Sequence, residues 1–338
     1  ISLKKINLIF EQVDFLCTKF SKHKKIDGSK IHKEDIEFLL NEAKKQLIHN
    51  DKKQSIIHIF NHNYVVDGKN FVEEPIDIYA DKLSHEVTFI TIPKNNLKNI
   101  NQVFFDCDIE IERFFSRIFT LGAKLLNYNE LELGSAIIDL GSEKTSLGLF
   151  KNLALVHSIT IPIGINHITK DISKVCSLDL EEAEKIRNDI DFSFFNNSKI
   201  FDENNYLKNT YFIKSNFRKI SKKLILDVVK SRLDEILDSL KKHLIVPGFV
   251  LNSGISLLVT GGGSNILNMD KYFSNFFELN IKKHSIGETQ DNDIEKKFAS
   301  CSGAIKIIKE GWETEAIPET SSNNLKKRGF LGKIFGFN

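Results

Sequence analysis

The chain has 338 residues, of which 41% are hydrophobic and 27% are charged, and its formal net charge is +2. This length predicts two or more domains, and so small a net charge argues against nucleic acid as a partner. The sequence has no signal-peptide pattern and no apolar run of about 18 residues, so we expect no membrane-spanning helix.

The four cysteines are Cys17, Cys107, Cys176 and Cys301, and they form no C-x-x-C pair. This spacing predicts free, buried thiols in a reducing compartment rather than disulfides or a zinc site.

The first third of the chain alternates between strand and helix patterns. Alternating apolar residues predict strands over Ile6–Phe10 and Val13–Cys17, and Asp27-Gly28 then signals a turn. Apolar residues at helical spacing predict a helix over Lys33–Leu47. The residues predicted to be buried on it are Ile36, Leu39, Leu40, Ala43 and Leu47. Further predicted elements are strands at Ile56–Phe60, Tyr64–Val66 and Val87–Ile92, a helix at Asn96–Phe105, and a strand followed by a helix between Ile109 and Leu126.

Residues Ala136–Phe150 combine a short buried strand, a turn and a second strand that begins at Thr145. The turn contains Asp139 and Gly141. Glycine lets the backbone approach an anion, which successive N–H groups can bind. A carboxylate at Asp139 can hold a water on a phosphate-bound Mg²⁺. The residues leave two alternatives, which are a phosphate-binding hairpin and an ordinary β-hairpin with an exposed aspartate.

Strands and helices continue to alternate after the hairpin. The predicted elements are a strand at Ala154–Pro162, a helix entered at Gly164, a helix at Leu180–Ile190, an irregular insert over Asp191–Asn216, a long amphipathic helix over Ile220–Leu244, a buried strand at Ile255–Val259, and helices at Ile266–Phe277 and Phe298–Ile308.

A second glycine turn, Thr260-Gly261-Gly262-Gly263-Ser264, follows one of these strands directly. Three glycines let the backbone pack against a flat or anionic ligand, and the following helix offers its N-terminus. Alone, the turn is equally compatible with a structural role. Two strand–glycine-turn units in one chain suggest two similar half-domains that face each other across a nucleotide cleft.

The chain ends in a polar linker over 313–324 and a basic segment, Leu325–Asn338. Large apolar side chains recur in this segment at helical spacing, which predicts an amphipathic helix that lies on a lipid surface. Its three glycines disfavour helix in water, so we expect it to fold on lipid. The alternatives are a disordered basic tail and a helix that docks on the core. The predicted lipid contacts are Lys326, Lys327, Arg328, Phe330, Leu331, Lys333, Ile334 and Phe335.

The combination resembles FtsA, a family of actin-like ATPases that tether the bacterial division ring to the membrane. Residues 136–150 are similar to the second phosphate loop of the family, and Val259–Ser264 to its adenosine loop. Arg232 and Glu235 fall in the helix whose counterpart lies beside the adenosine. Other segments that resemble the family are Asn50–Phe60 and Tyr64–Gly68 in its subdomain 1C, then Ile161–Gly164, Asn166–Ile172 and Glu181–Ile186.

This resemblance implies an α/β, actin-like ATPase (ribonuclease H-like) fold with two lobes and an FtsA-type 1C (SHS2) subdomain. The first part of subdomain 1A is expected to be missing. The implied boundaries are 1–10 for a remnant of 1A, 11–90 for 1C, 91–134 for 1A, 135–186 for 2A, 187–231 for 2B, 232–298 for 2A, 299–312 for a helix that returns to 1A, 313–324 for the linker and 325–338 for the membrane-targeting helix.

The resemblance also implies ATP and Mg²⁺ as cofactors, with Asp139 at the metal and no assigned catalytic residue. The implied nucleotide contacts are Asp139, Gly141, Ser142, Lys144, Thr145, Arg232, Glu235, Gly261, Gly262, Gly263 and Ser264. Ser142, Glu143, Lys144 and Ser146 replace two glycines, a threonine and an aspartate of the family pattern, and the family's first phosphate loop has no counterpart. Hydrolysis is therefore left open. Glu143 would bring a negative charge near phosphates, which Lys144 could offset.

The implied role is that of a peripheral adaptor on the cytoplasmic face of the inner membrane, at the division septum. Implied partners are further copies of the chain in a filament, anionic lipids, the FtsZ C-terminal tail through subdomain 2B, and later division proteins through 1C. Arg218–Asp234 lies in or beside the 2B region. The alternatives are an actin-like assembly protein of the type IV pilus and a phosphotransferase of the same superfamily.

Overall fold

A computed structural model describes residues 3–193, 197, 199–246, 249–250, 256–283 and 297–310. Two compact units are present, the first formed by Ile1–Ser135, Gly148–Ile159 and Ile286–Asn338, and the second by Ala136–Leu147 and Thr160–Ser285. Within the described ranges, no helix is long and apolar enough to cross a membrane. The polar linker and the basic segment Leu325–Asn338 lie outside the described residues.

A four-stranded antiparallel sheet with one helix on it occupies residues 16–93 of the first unit. The strands are β2 (Leu16–Lys30), β3 (Gln54–Val66), β4 (Lys69–Phe71) and β5 (Tyr79–Pro93), in the order β2-β5-β3-β4. Helix α1 (Lys33–Asn50) buries the five residues predicted from their spacing, which confirms that prediction. They share a core with Phe20, Tyr64 and Phe89 of the sheet.

Strand β2 departs from the sequence prediction at both ends. It begins at Leu16 rather than Val13, and it continues through Asp27-Gly28 to Lys30. The pairing of β2 with β5 shifts register between Lys25 and Ser29, where Asp27 and Gly28 have φ values of 51° and 74°. The predicted turn is thus a bulge inside one long strand, since two residues with positive φ can be absorbed without ending the pairing.

The remaining elements of the first unit include a parallel pair of strands, β1 (Lys5–Phe10) and β6 (Glu110–Ser116). The helices are α2 (Lys94–Phe105), α3 (Arg117–Leu125), α4 (Tyr128–Leu133) and α9 (Ala299–Glu310). Helix α4 was not predicted, although Asn127 and Glu130 form a reciprocal capping box at its start. Helix α9 packs closely on α3, because a side chain at Gly303 would overlap the Thr120 carbonyl.

The chain also contains a five-stranded sheet, in the order β13-β12-β7-β8-β9. Its strands are β7 (Ser135–Leu140), β8 (Thr145–Lys151), β9 (Ala154–Ile161), β12 (Ser256–Thr260) and β13 (Ile281–Lys283). The helices are α5 (Ile165–Cys176), α6 (Leu180–Asp189), α7 (Lys222–Lys241) and α8 (Met269–Phe277), and a short antiparallel pair is formed by β10 (Ile245–Val246) and β11 (Phe249–Val250). The predicted hairpin and the predicted strand before the glycine turn are therefore confirmed as neighbouring strands β7, β8 and β12.

The four cysteines are free thiols, as predicted, but they are not all buried. Cys176 is buried and Cys17 is partly buried, whereas Cys107 and Cys301 are exposed. Cys107 follows the end of α2, and Cys301 lies on the side of α9 opposite the buried Gly303. The prediction of buried thiols was wrong for these two, because cysteine composition carries no information on which helix face is covered.

Candidate functional site

The first predicted phosphate turn connects β7 to β8 in the second unit. β7 is buried along its length, and Asp139, its penultimate residue, is 6% exposed. The Gly141 N–H donates to the Lys144 carbonyl at 3.0 Å and closes the turn. Ser142, Glu143 and Lys144 form an exposed tip. The strand thus fixes Asp139 in the interior while the turn presents three polar side chains to solvent.

Helix α5 begins directly against this turn. The Ile165 N–H donates to the Gly141 carbonyl at 2.9 Å, and the Asn166 N–H donates to the Ser142 carbonyl at 2.8 Å. A Cβ at Gly164 would lie 2.5 Å from the Ser142 carbonyl oxygen, so only glycine permits this approach. The first donors of α5 therefore hold the turn itself in place.

The second predicted turn, Gly261–Ser264, packs on the end of β7. Gly261 has φ +88°, and a Cβ there would lie 2.5 Å from Asp139 Oδ1 and 2.6 Å from the Leu140 carbonyl oxygen. A Cβ at Gly263 would lie 2.6 Å from Leu140 Cγ. At Gly262, by contrast, a Cβ would meet nothing within 4 Å. Two glycines thus close the turn onto β7 while the third faces open space.

These contacts bring the two predicted motifs together at Asp139. The carboxylate predicted to act at the metal lies beside the backbone of the turn predicted to contact adenosine. Asp139 and Gly261 are more than 120 residues apart in the sequence. The pairing of β12 with β7 in the sheet brings them together. Asp139 thus lies where the two predicted motifs meet, and Gly262 faces open space beside it.

Two hydroxyl groups predicted to contact nucleotide form hydrogen bonds with the backbone. Thr145 is fully buried, and its hydroxyl donates to the Ile163 carbonyl at 2.7 Å. The Ser264 hydroxyl donates to the Gly261 carbonyl at 2.7 Å and closes the glycine turn. Each hydroxyl thus donates its hydrogen to the backbone, as hydroxyls after a turn commonly do, and the predicted nucleotide contacts of Thr145 and Ser264 stay predictions.

The structure places Arg232 and Glu235 on α7, facing α5. Arg232 makes a bidentate pair with Asp171, with Nε 2.5 Å from Oδ2 and Nη2 3.0 Å from Oδ1, and its Nη1 donates to Glu235. All three guanidinium nitrogens have protein partners, and the nucleotide contacts predicted for Arg232 and Glu235 stay predictions. Fork-shaped pairing of this kind favours a role in joining the two helices.

Glu143 is held by two side chains of α5. Asn166 Nδ2 donates to Glu143 Oε1 at 2.9 Å, and Lys170 Nζ donates to Oε2 at 2.8 Å. The hydrogen bond from Lys170 is the main cause that lowers the pKa of Glu143. The charge that the sequence placed unfavourably near phosphate is thus offset by Lys170, four residues after Asn166 on the same helix face.

Glu182 on α6 is an unpredicted organising residue of this unit. It is fully buried, and its carboxylate accepts the N–H groups of Ile213, Lys214 and Ser215 at 2.6, 2.6 and 2.9 Å. It also accepts the Asp179 N–H at 2.9 Å. Burial raises the pKa of Glu182, but hydrogen bonds from Ser215, Lys214 and Asp179 outweigh it and lower the pKa to about 2. The sequence carries an Asp-x-x-Glu pattern here, which is typical of a helix start and gives no sign of the distant amides that Glu182 binds.

The donor set suits Mg²⁺ held mainly by water and phosphate. In the described part of the chain, no three His, Cys, Asp or Glu side chains cluster as a metal cage. Magnesium commonly takes one or two carboxylates, several waters and substrate phosphates. A single carboxylate at Asp139, next to a turn with open space at Gly262, fits that coordination.

Comparison with protein families assigns both parts of the chain. A model of the family "Cell division protein FtsA" matches residues 136–303, and a model of the "SHS2 domain inserted in FTSA" matches residues 16–91. The chain belongs to the FtsA family. The SHS2 match coincides with the sheet of β2, β3, β4 and β5, and the FtsA match contains both glycine turns.

Full-length relatives agree with this assignment. Cell division protein FtsA of Agrobacterium fabrum is 23% identical over 257 residues, which are 76% of this chain and 58% of the relative. Cell division protein FtsA of Buchnera aphidicola subsp. Schizaphis graminum is 28% identical over 92% of this chain and 74% of the relative. The chain spans about three fifths of the length of the first curated relatives that it matches.

The fold is that of the actin-like ATPases, with an SHS2 domain. A solved structure titled "PilM-PilN type IV pilus biogenesis complex" superimposes with a TM-score of 0.59, over 89% of this chain and 78% of that one, at 13% identity. An identity this low shows the fold alone. The superposition confirms the fold class expected from the resemblance.

Proposed function

We propose that this FtsA is a membrane adaptor of cell division that binds MgATP, polymerises and tethers FtsZ to the membrane. The proposal rests first on family membership. The observation that carries the nucleotide part is the contact of Gly261 with Asp139 and Leu140, which leaves Gly262 facing open space. That geometry combines a carboxylate with a backbone surface onto which a flat ring can pack.

In this proposal each residue has a limited task. Asp139 holds a water of the Mg²⁺ shell, and bound Mg²⁺ neutralises phosphate charge. Gly262 leaves room for the adenosine. Ser142 and Lys144, at the exposed tip, remain proposed phosphate contacts, and Gly141 allows the turn. Whether the chain hydrolyses ATP is a separate question, since no catalytic side chain is proposed.

Substitution at Gly262 tests the nucleotide site. We expect the native chain to bind MgATP at micromolar concentration in calorimetry and Gly262→Val to abolish this binding, because the new side chain occupies the open space. The thermal transition should be unchanged, since nothing lies within 4 Å of that Cβ.

Gly261→Ala is the matched variant for stability, since it adds a side chain at the neighbouring glycine, where there is no room. Its Cβ meets the Leu140 carbonyl at 2.6 Å and its φ is +88°, so we expect a loss of stability of roughly 1–3 kcal/mol. Native-like ATP affinity in Gly262→Val would show that the proposed adenosine position is wrong.

The proposed FtsZ surface lies around residues 213–218. Ile213 and Phe217 are 66% and 60% exposed, and each is followed in the sequence by a basic residue, Lys214 and Arg218. Apolar anchors between basic residues suit a short peptide with apolar and acidic side chains. Filament formation is proposed from family membership and the actin-like fold, and contacts of later division proteins with the SHS2 domain from family membership.

The proposed membrane contact is the segment Leu325–Asn338, argued from sequence alone. Deletion of this segment should abolish sedimentation with vesicles that contain anionic phospholipid, because each basic residue near such a surface contributes about 1 kcal/mol. The same deletion should leave MgATP binding unchanged. Sedimentation that persists after the deletion would contradict the tether.

The two alternatives have less support. The likeness to the PilM–PilN structure extends to the fold and not to the family models, both of which are FtsA models. A phosphotransferase would need a carboxylate positioned for catalysis, and the described cluster around the turns offers Asp139 beside Gly261, where it suits Mg²⁺.

A further inference from the structure

The tip of the hairpin carries an ion pair that a ligand can disrupt. Glu143 binds Asn166 and Lys170, and the side chains of Glu143 and Lys170 are 50% and 55% exposed. Solvent screens such a pair, so its two groups exchange partners readily. An incoming anion can therefore compete with Glu143 for the Lys170 ammonium.

Asn166 connects this exposed pair to the interior. Its side-chain amide donates to Glu143 through Nδ2, and its Oδ1 accepts from Nη1 of Arg187 at 2.9 Å. The same Nη1 donates to Thr169 Oγ1 at 2.9 Å. Because the Asn166 N–H also binds the Ser142 carbonyl, one residue holds the hairpin tip at two points and α6 at a third.

Arg187 and Glu182 continue the connection along α6. Arg187 is 7% exposed, and Glu182 lies five residues earlier on the same helix, fully buried. Glu182 fixes the amides of Ile213, Lys214 and Ser215. Helix α6 itself therefore joins the two contacts, because it carries both Arg187, which binds Asn166, and Glu182, which holds the segment that exposes Ile213.

We propose that Asn166 couples the hairpin tip to the Ile213–Ser215 segment, and that an anionic ligand at the tip loosens this coupling by taking Lys170 from Glu143. The anion part rests on the proposed nucleotide site, whereas the coupling itself rests on the contacts of Asn166, Arg187 and Glu182. A ligand shifts a structural equilibrium only through unequal contacts in the two states. Lys170 supplies that inequality, since its ammonium pairs with either Glu143 or the phosphate.

Hydrogen exchange of the Ile213–Ser215 amides tests the coupling without any partner protein. We expect Glu143→Ala and Asn166→Ala each to accelerate this exchange about threefold, because local opening becomes easier. MgATP should accelerate it similarly in the native chain and have no further effect in Glu143→Ala. Glu143→Gln keeps an oxygen acceptor for Asn166 but removes the charge that holds Lys170, so we expect it to accelerate the exchange as MgATP does in the native chain.

Glu110→Ala is the matched control, since it removes an exposed ion pair with Lys5 in the first unit. It should leave exchange at Ile213–Ser215 unchanged, and thermal melts should show all variants folded. Native exchange rates in both Glu143→Ala and Asn166→Ala would overturn the coupling.

The ligand arm has its own decisive outcomes. If calorimetry detects bound MgATP and exchange in the native chain does not change, the role of the anion is overturned. If MgATP does not bind, the proposed nucleotide site fails together with the anion arm, while the alanine variants still decide the coupling.

Discussion

Glu143 and Glu182 each hold a turn in place in the second unit, but in opposite environments. Glu143 is half exposed and has two side-chain partners on α5. Glu182 is fully buried and accepts three consecutive backbone N–H groups as well as the Asp179 N–H. The pKa of each lies below its usual range, for Glu143 through Lys170 and for Glu182 through hydrogen bonds that outweigh burial.

The difference shows how environment decides the task of one side chain. A buried carboxylate whose oxygens accept several backbone donors cannot leave without stranding them, so it fixes structure. A screened carboxylate on a lysine can be replaced by another anion at little cost. The same residue type therefore serves as a permanent anchor in α6 and as a replaceable contact at the hairpin tip.

Removing Glu182 should give the largest effect. We expect Glu182→Ala to lower the free energy of unfolding by about 3 kcal/mol, because several backbone donors lose a charged acceptor that is itself buried. Chemical denaturation measures this loss. The neighbouring Glu181→Ala, which removes only an exposed pair with Lys214, should change the free energy by less than about 0.5 kcal/mol. Equal losses in both variants would mean that burial at Glu182 does not matter.

The contribution of Glu182 to the free energy of unfolding should depend on pH in the acid range. The pKa of Glu182 is lowered to about 2 in the folded chain, so its contribution is fully present above the unfolded value and is lost as pH falls through about 4 towards 2. Urea unfolding of the native chain should weaken across this window. Glu182→Gln should show a shallower decline there, and parallel curves for the two chains would contradict the assignment.

Protonation of Glu143 should give the smallest effect. Because Lys170 lowers the pKa of this carboxyl, the contact persists above its usual pKa and is lost only as pH falls through the lowered one. We expect the Asn166 side-chain amide resonance to follow this titration, with little change in unfolding. In Glu143→Gln the resonance should not titrate, and a titration that persists in the variant would assign it to another group.

The sequence alone was sufficient for elements whose signal is local. The apolar spacing of α1 predicted all five of its buried residues, and the strands at both glycine turns were also predicted. It failed where a partner comes from far along the chain. Neither the bond from Thr145 to Ile163 nor the pairing of Arg232 with Asp171 has a local signal.

Glu182 is a further residue whose partners lie far along the chain and could not be predicted. Its Asp-x-x-Glu spacing was visible, yet the three amides that it binds lie more than 30 residues later. At Gly261, by contrast, the run of three glycines predicted a close approach of the backbone to another group. The sequence did not show that this group is the end of β7. A run of glycines indicates that another part of the chain approaches the backbone closely, whereas a carboxylate in the sequence does not indicate which groups it will bind.

The unequal burial of the cysteines makes the unmodified chain suited to site-selective labelling. Burial raises the pKa of Cys17 to about 12 and also raises that of Cys176. Since the thiolate is the reactive form, maleimide probes at neutral pH should react with Cys107 and Cys301 and spare the other two. Fluorophores or spin labels attached there would report on the end of α2 and on α9 without any substitution.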